Sequence, residues 1–136
     1  MISTYTKPPL GPNQKLLVDA LRSGKFTQTT AGVLHDVQTD SMCCLGVAAK
    51  LFLTDEEVEE VEEVNLDDSS STYYAYDGAV RAAPEYVVSK LSLFCRLGST
   101  CDRDDTLADL NDEGSTFVEI ADLLEADPSR YFSSPT

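Results

Sequence analysis

Basic residues are scarce in this chain of 136 residues: ten Lys and Arg stand against 24 Asp and Glu, for a formal net charge of −14. An excess of that sign repels phosphate backbones and anionic lipid, so direct nucleic-acid and membrane binding are not expected. No apolar run approaches the roughly 20 residues that span a bilayer. The opening MISTYTKPPLGPNQ lacks a charged segment followed by an apolar one, so no export signal is expected and the chain is placed in cytoplasm. In that reducing compartment Cys43, Cys44, Cys95 and Cys101 are expected as free thiols rather than a disulfide framework.

The motifs of several chemistries are missing too. Neither G-x-x-x-x-G-K-[ST] nor G-x-G-x-x-G occurs, which leaves a phosphate cradle without support. The cysteines form one adjacent pair and one pair with five residues between its members, whereas structural zinc prefers C-x₂₋₄-C pairs. Adjacent helical positions also point about 100° apart. No metal and no cofactor are expected. The single histidine, His35, has no nucleophile signature around it and reads as a surface strand residue. Carboxylates are too abundant for any pair to signal general acid–base work. An enzyme is the least supported reading.

What is present describes one domain. The length suits a single core, and 42% hydrophobic residues are ordinary for a globular protein. The segment PNQKLLVDALRSGKF predicts a helix with Leu16, Leu17, Ala20 and Leu21 on one stripe, Asn13 as its cap and Gly24 beyond its end. KFTQTTAGVLHDVQ predicts two short strands around a turn near Ala31 and Gly32. In DSMCCLGVAAKLF, the spacing of Cys43, Cys44, Val47, Ala48 and Leu51 predicts the central buried helix. Gly46 within it implies that another backbone approaches closely.

Three helices are predicted in the second half. The first begins at Pro84, carries Val87, Val88, Leu91 and Phe94 on one side and stops at Gly98. DDTLADLNDEG gives a short helix closed at Gly114, and STFVEIADLLEADP gives one with a Thr116/Glu119 capping box that Pro128 ends. The fold class is α+β: a single compact domain over residues 1–136, about four to five helices with one or two small antiparallel hairpins, and a flexible C-terminal tail, SSPT.

Charge is distributed unevenly. Residues 1–50 carry five basic and three acidic groups, net +2; residues 51–136 carry five and twenty-one, net −16. Nine of the fourteen residues from Asp55 to Asp68 are acidic, and no Lys or Arg lies between Lys50 and Arg81. Thr54 and Glu57 spell a capping box there, yet the like charges Glu56/Glu60 and Glu59/Glu63 oppose a helix at i,i+4. STYYAY beyond it reads as a strand. A two-stranded ribbon linked by LDDSSS is the preferred reading.

The segments ALRSGKFTQ, CCLGVAAKL, YDGAV and LNDEGSTFVEIADLLE resemble a family of small uncharacterised proteins of phage genomes and some bacteria, across roughly Leu16 to Ala126. The resemblance implies a strand-like region between CCLGVA and YDG and supplies no catalytic residues. This chain departs from the pattern in its acidic insert and in lacking a Trp after YDG.

LADLNDEGSTFVEIADLL also resembles the first two helices of a helix-turn-helix. No recognition helix follows, and Asp104, Asp105, Asp109, Asp112, Glu113, Glu119, Asp122, Glu125 and Asp127 would confront phosphates. The segment therefore reads as packing geometry.

The candidate site is the acidic stretch with the tyrosines that follow it: Asp55, Glu56, Glu57, Glu59, Glu60, Glu62, Glu63, Asp67 and Asp68, with Tyr73, Tyr74 and Tyr76. Carboxylates steer an approaching surface and aromatic rings anchor it. The expected role is a non-enzymatic binding protein that engages a basic surface on a host protein, as a phage-encoded inhibitor or modulator in the host cytoplasm, a defence complex being one candidate target. Two alternatives stand beside it: a virion or assembly component, and a protein that sequesters a signalling nucleotide with Lys15, Arg22 and Lys25.

Overall fold

The computed structural model describes residues 10–98 and 106–135. Cys101, Asp104 and Asp105 lie outside the described residues. The fold is α+β, with six helices and a five-stranded mixed sheet among the described residues. None of these helices is long and apolar enough to cross a membrane.

Helix α1 (Pro12–Arg22) begins with proline at its first position, behind Gly11 as N-cap. Asn13, the expected cap, instead donates its Nδ2 to the Lys90 carbonyl at 3.1 Å. The buried stripe is Gln14, Leu17, Val18 and Leu21, while Leu16 is exposed. Those four positions follow the i, i+3, i+4, i+7 spacing of one helical face, and Leu16 falls off it.

The expected first hairpin is not formed. Strands β1 (Thr27–Gln28) and β2 (His35–Asp36) do not pair with each other; β3 (Ser41–Met42) lies between them, parallel to β1 and antiparallel to β2. Two-residue strands carry too little alternation to specify a partner, so the choice is made by packing. The expected ribbon is formed: β4 (Val58–Val64) pairs antiparallel with β5 (Ser70–Tyr76) through seven residue pairs. The Thr54/Glu57 capping box closes only a single 3-10 turn (Asp55–Glu57) ahead of it. The strand order is β1-β3-β2-β5-β4, with Asp36 opposite Tyr73 as the link to the ribbon, so the acidic strand forms one edge.

Helix α2 (Cys44–Phe52) is buried from Cys44 to Ala49 and centres the core. Cys43 is its N-cap, its sulfur accepting from the Gly46 N–H at 3.4 Å, and Leu51 turns outward. A Cβ on Gly46 would sit 1.9 Å from the Leu34 carbonyl oxygen, which is the close backbone approach expected at that glycine.

Helix α3 (Glu85–Leu91) follows Pro84 but stops two turns earlier than expected, with Ser92 in the left-handed region at φ 55°. Leu93 then enters the core and pairs with Phe132, which leaves Phe94 exposed. Helix α4 (Leu107–Asp112) is capped by Thr106, whose hydroxyl accepts from the Asp109 N–H, α5 (Phe117–Ala126) carries the expected Thr116/Glu119 capping box, and Gly114 between them adopts φ 106°. After α5 the described residues form the single turn α6 (Pro128–Tyr131). The chain end is tied back as far as Ser134, whose carbonyl accepts from Gln14 Nε2 at 2.7 Å.

Candidate functional site

Residues directly opposite on two paired strands share a face of the ribbon. One face therefore carries Val58 with Tyr76, Glu60 with Tyr74 and Glu62 with Thr72; the other carries Glu59 with Ala75, Val61 with Tyr73 and Glu63 with Ser71. The expected trio of tyrosines is divided, Tyr74 and Tyr76 on one side and Tyr73 on the other.

Tyr76 is not an exposed anchor. It is buried at 1% exposure, and its hydroxyl lies 2.8 Å from His35 Nδ1. His35 is likewise no surface residue: it is buried, its Nε2 is 2.7 Å from Asp40 Oδ1, and the Tyr74 ring lies 4.5 Å from its own centroid to centroid. Both ring nitrogens are satisfied, which is what lets an imidazole sit inside. Burial, helped by the charges of Tyr74, Asp40 and Asp55, pushes the Tyr76 phenol up to about 12, so it is un-ionised near neutrality. Burial also pushes the Cys43 thiol up to about 11 and the Cys44 thiol well above its ordinary value. Among the described residues, no group of three or more His, Cys, Asp or Glu side chains is placed to hold a metal ion.

The carboxylates of the stretch take different roles. Glu63 receives both arms of Arg81, whose guanidinium stands 5.8 Å from the Tyr73 ring centre. That contact holds Glu63 below its usual range and raises Arg81. Asp67 is lowered by hydrogen bonds from Ser69, and Glu57 is occupied with the Thr54 cap. Asp68 takes the left-handed conformation at the ribbon tip, φ 68°. Glu56, Glu59, Glu60, Glu62 and Asp68 have no ion pair among the described residues.

Sequence reasoning missed two features. At the tip, Leu66 is fully exposed and Val64 largely so, an apolar point surrounded by acids. A leucine placed inside a turn-forming LDD run was the available signal. At the root of the ribbon a cavity of about 340 Å³ opens on the Tyr74/Tyr76 face, walled by Asp40, Asp55, Lys50, Val58 and Tyr74 over a floor of His35 and Tyr76. A second cavity of about 230 Å³ shares His35, Asp40 and Lys50 and reaches Lys25. No sequence signal joins these positions, because they come from five separate segments.

The sequence model of a domain of unknown function, DUF8296, matches residues 13–128. The chain belongs to that family. No curated protein and no solved structure matches it. Within this DUF8296 domain, the three cations considered for a nucleotide have different surroundings. Arg22 is held by Asp122 at 2.6 Å and by Glu125 on α5, Lys15 is exposed on α1, and Lys25 lies at the second cavity.

Proposed function

We propose that this domain is a non-enzymatic binding protein that docks a basic partner surface on its acidic ribbon. One observation carries the reading: an edge strand presents glutamates to solvent, and only Glu63 among the ribbon acids is spent on an ion pair among the described residues. Fixed like charges on a short stiff ribbon repel each other at a cost that a complementary surface would relieve. The same charges keep the edge from pairing with other strands, so the ribbon meets a partner through side chains rather than through β-addition. The exposed Leu66 offers an apolar contact at the point of first approach. The likeness of the sequence motifs to phage-borne chains supports a host protein as the partner, inhibited or modulated by occupancy of its basic face; a defence complex would suit.

The test is parallel affinity capture from host lysate with the natural chain and with a Glu59→Gln, Glu60→Gln, Glu62→Gln variant, at low and high salt. The expected result is one stoichiometric protein retained at low salt by the natural chain alone. Equal retention by both chains, or none by either, would remove the ribbon from the interface.

A further inference from the structure

We infer that the cavity at the root of the ribbon is the seat of an arginine side chain contributed by the basic partner. The inference rests on the ribbon reading and deepens it, because the cavity opens on the face that carries Glu60, Tyr74 and Glu62. A partner steered along that face is led to the opening.

The volume, about 340 Å³, accommodates a side chain rather than a folded element. Its walls match a guanidinium by chemistry. Tyr74 offers an aromatic face, on which a flat cation stacks more favourably than a compact ammonium. Asp40 and Asp55 offer carboxylate oxygens, which suit the forked donors of arginine. Val58 supplies an apolar contact for the methylene stem.

The floor is already organised. His35 and Tyr76 are buried and bonded to each other, and Asp40 is held by His35, so this carboxylate need not be ordered on binding. Lys50, also at the wall, has no ion pair among the described residues. Its ammonium opposes an incoming cation and would welcome an incoming anion. Its removal therefore separates the two classes of ligand by sign.

The probes are octa-arginine and octa-lysine peptides of equal charge, titrated at low salt into the full chain. Binding is followed by affinity and by the NMR resonances of the His35 imidazole and of the ribbon backbone. Octa-arginine is expected to move the His35 resonances and to bind about fivefold or more tighter than octa-lysine. Tyr74→Leu and Asp55→Asn should each abolish that preference while leaving the fold intact by circular dichroism. Lys50→Gln should tighten octa-arginine binding by about threefold. If octa-arginine moves ribbon resonances but leaves His35 unmoved, the arginine seat is wrong and the ribbon reading stands. If neither set moves, both fall. If Lys50→Gln weakens binding or leaves it unchanged, the cavity does not take a cation and the inference is overturned.

Discussion

Asn111 Oδ1 accepts a hydrogen bond from the backbone N–H of Cys44 at 3.1 Å, across 67 positions of sequence. The same oxygen receives Gln28 Nε2 at 2.9 Å, and Asn111 Nδ2 donates to the Thr29 carbonyl at 2.8 Å. One fully buried amide therefore joins the start of α2, the end of β1 and helix α4. The segments CCLGVA and LND, which drew notice separately as motifs, meet at this point. Asn111→Ala should leave the Cys44 N–H and the Thr29 carbonyl without these partners and cost about 3 kcal/mol. Urea unfolding at neutral pH measures it; a loss below about 1 kcal/mol would mean that water replaces the amide.

Gly46 gives the sharpest steric prediction. The Leu34 carbonyl that a Cβ would strike also accepts from the Cys43 N–H at 3.1 Å, so moving it breaks the junction between β2 and α2. Gly46→Ala should destabilise by about 3 kcal/mol or more, a fall in Tm of roughly 10 °C. An unchanged melting temperature would show that the two backbones separate freely.

The parts of the fold that could be read from sequence are those set by neighbours in the chain. The capping box of α5, the Gly114 turn and the buried face of α2 all depend on residues within about one turn of each other, and local spacing reports them. The ribbon was legible from the Thr and Tyr of β5, from the like charges that oppose a helix over β4 and from the family resemblance, even though valines at every third position give β4 no alternation. The β1-β3-β2 order was not legible, since strands of two residues have no period. Nor was the burial of His35, which depends on Tyr76 placed 41 residues away. Arg22 is consumed by Asp122, 100 residues on, so its availability to a ligand could not be judged from α1 alone.

Alkaline pH should unfold the domain through Tyr76. The phenol ionises near 10 when unfolded and at about 12 in the fold, so the folded pKa is raised. Below pH 10 both states hold the proton and the stabilisation is complete. From pH 10 to 12 the unfolded chain releases it and the folded chain does not, and stability falls by up to about 3 kcal/mol from this group. Tyr76→Phe should remove that part of the decline while costing about 1 kcal/mol at pH 7 for the lost bond to His35. Denaturation midpoints from pH 8 to 11.5 decide it; parallel declines in the two proteins would assign the effect elsewhere.

Thiol reactivity should follow burial. Cys43 and Cys44 are buried with raised pKa values, whereas Cys95 is half-buried. A disulfide reagent at pH 8 should modify Cys95 well before Cys43 and Cys44, which should react only as the core opens, and peptide mapping reads the order. All four cysteines should titrate as free thiols in denaturant. Early labelling of Cys44 would show that α2 opens far more readily than its place in the core implies.

The last prediction separates charge from contact on the ribbon. Glu59, Glu60 and Glu62 are exposed and without ion pairs among the described residues, whereas Glu63 is committed to Arg81. Changing the first three to Gln should slow association with the captured partner and flatten its salt dependence, because exposed charges act mainly during encounter. Leu66→Ser should leave the association rate nearly unchanged and speed dissociation, at a cost of about 1–2 kcal/mol if the tip is buried in the complex. Neither change touches the core, so both proteins should melt within a few degrees of the natural chain. Tyr76→Ala is unsuited to this test: it would empty the site beneath His35 and report folding instead of binding. Surface plasmon resonance at several salt concentrations resolves the two rates. Glutamine variants that alter only dissociation, or a Leu66→Ser chain with natural kinetics, would mean that the partner contacts another part of the molecule and that the acidic strand serves only to keep the sheet edge from pairing.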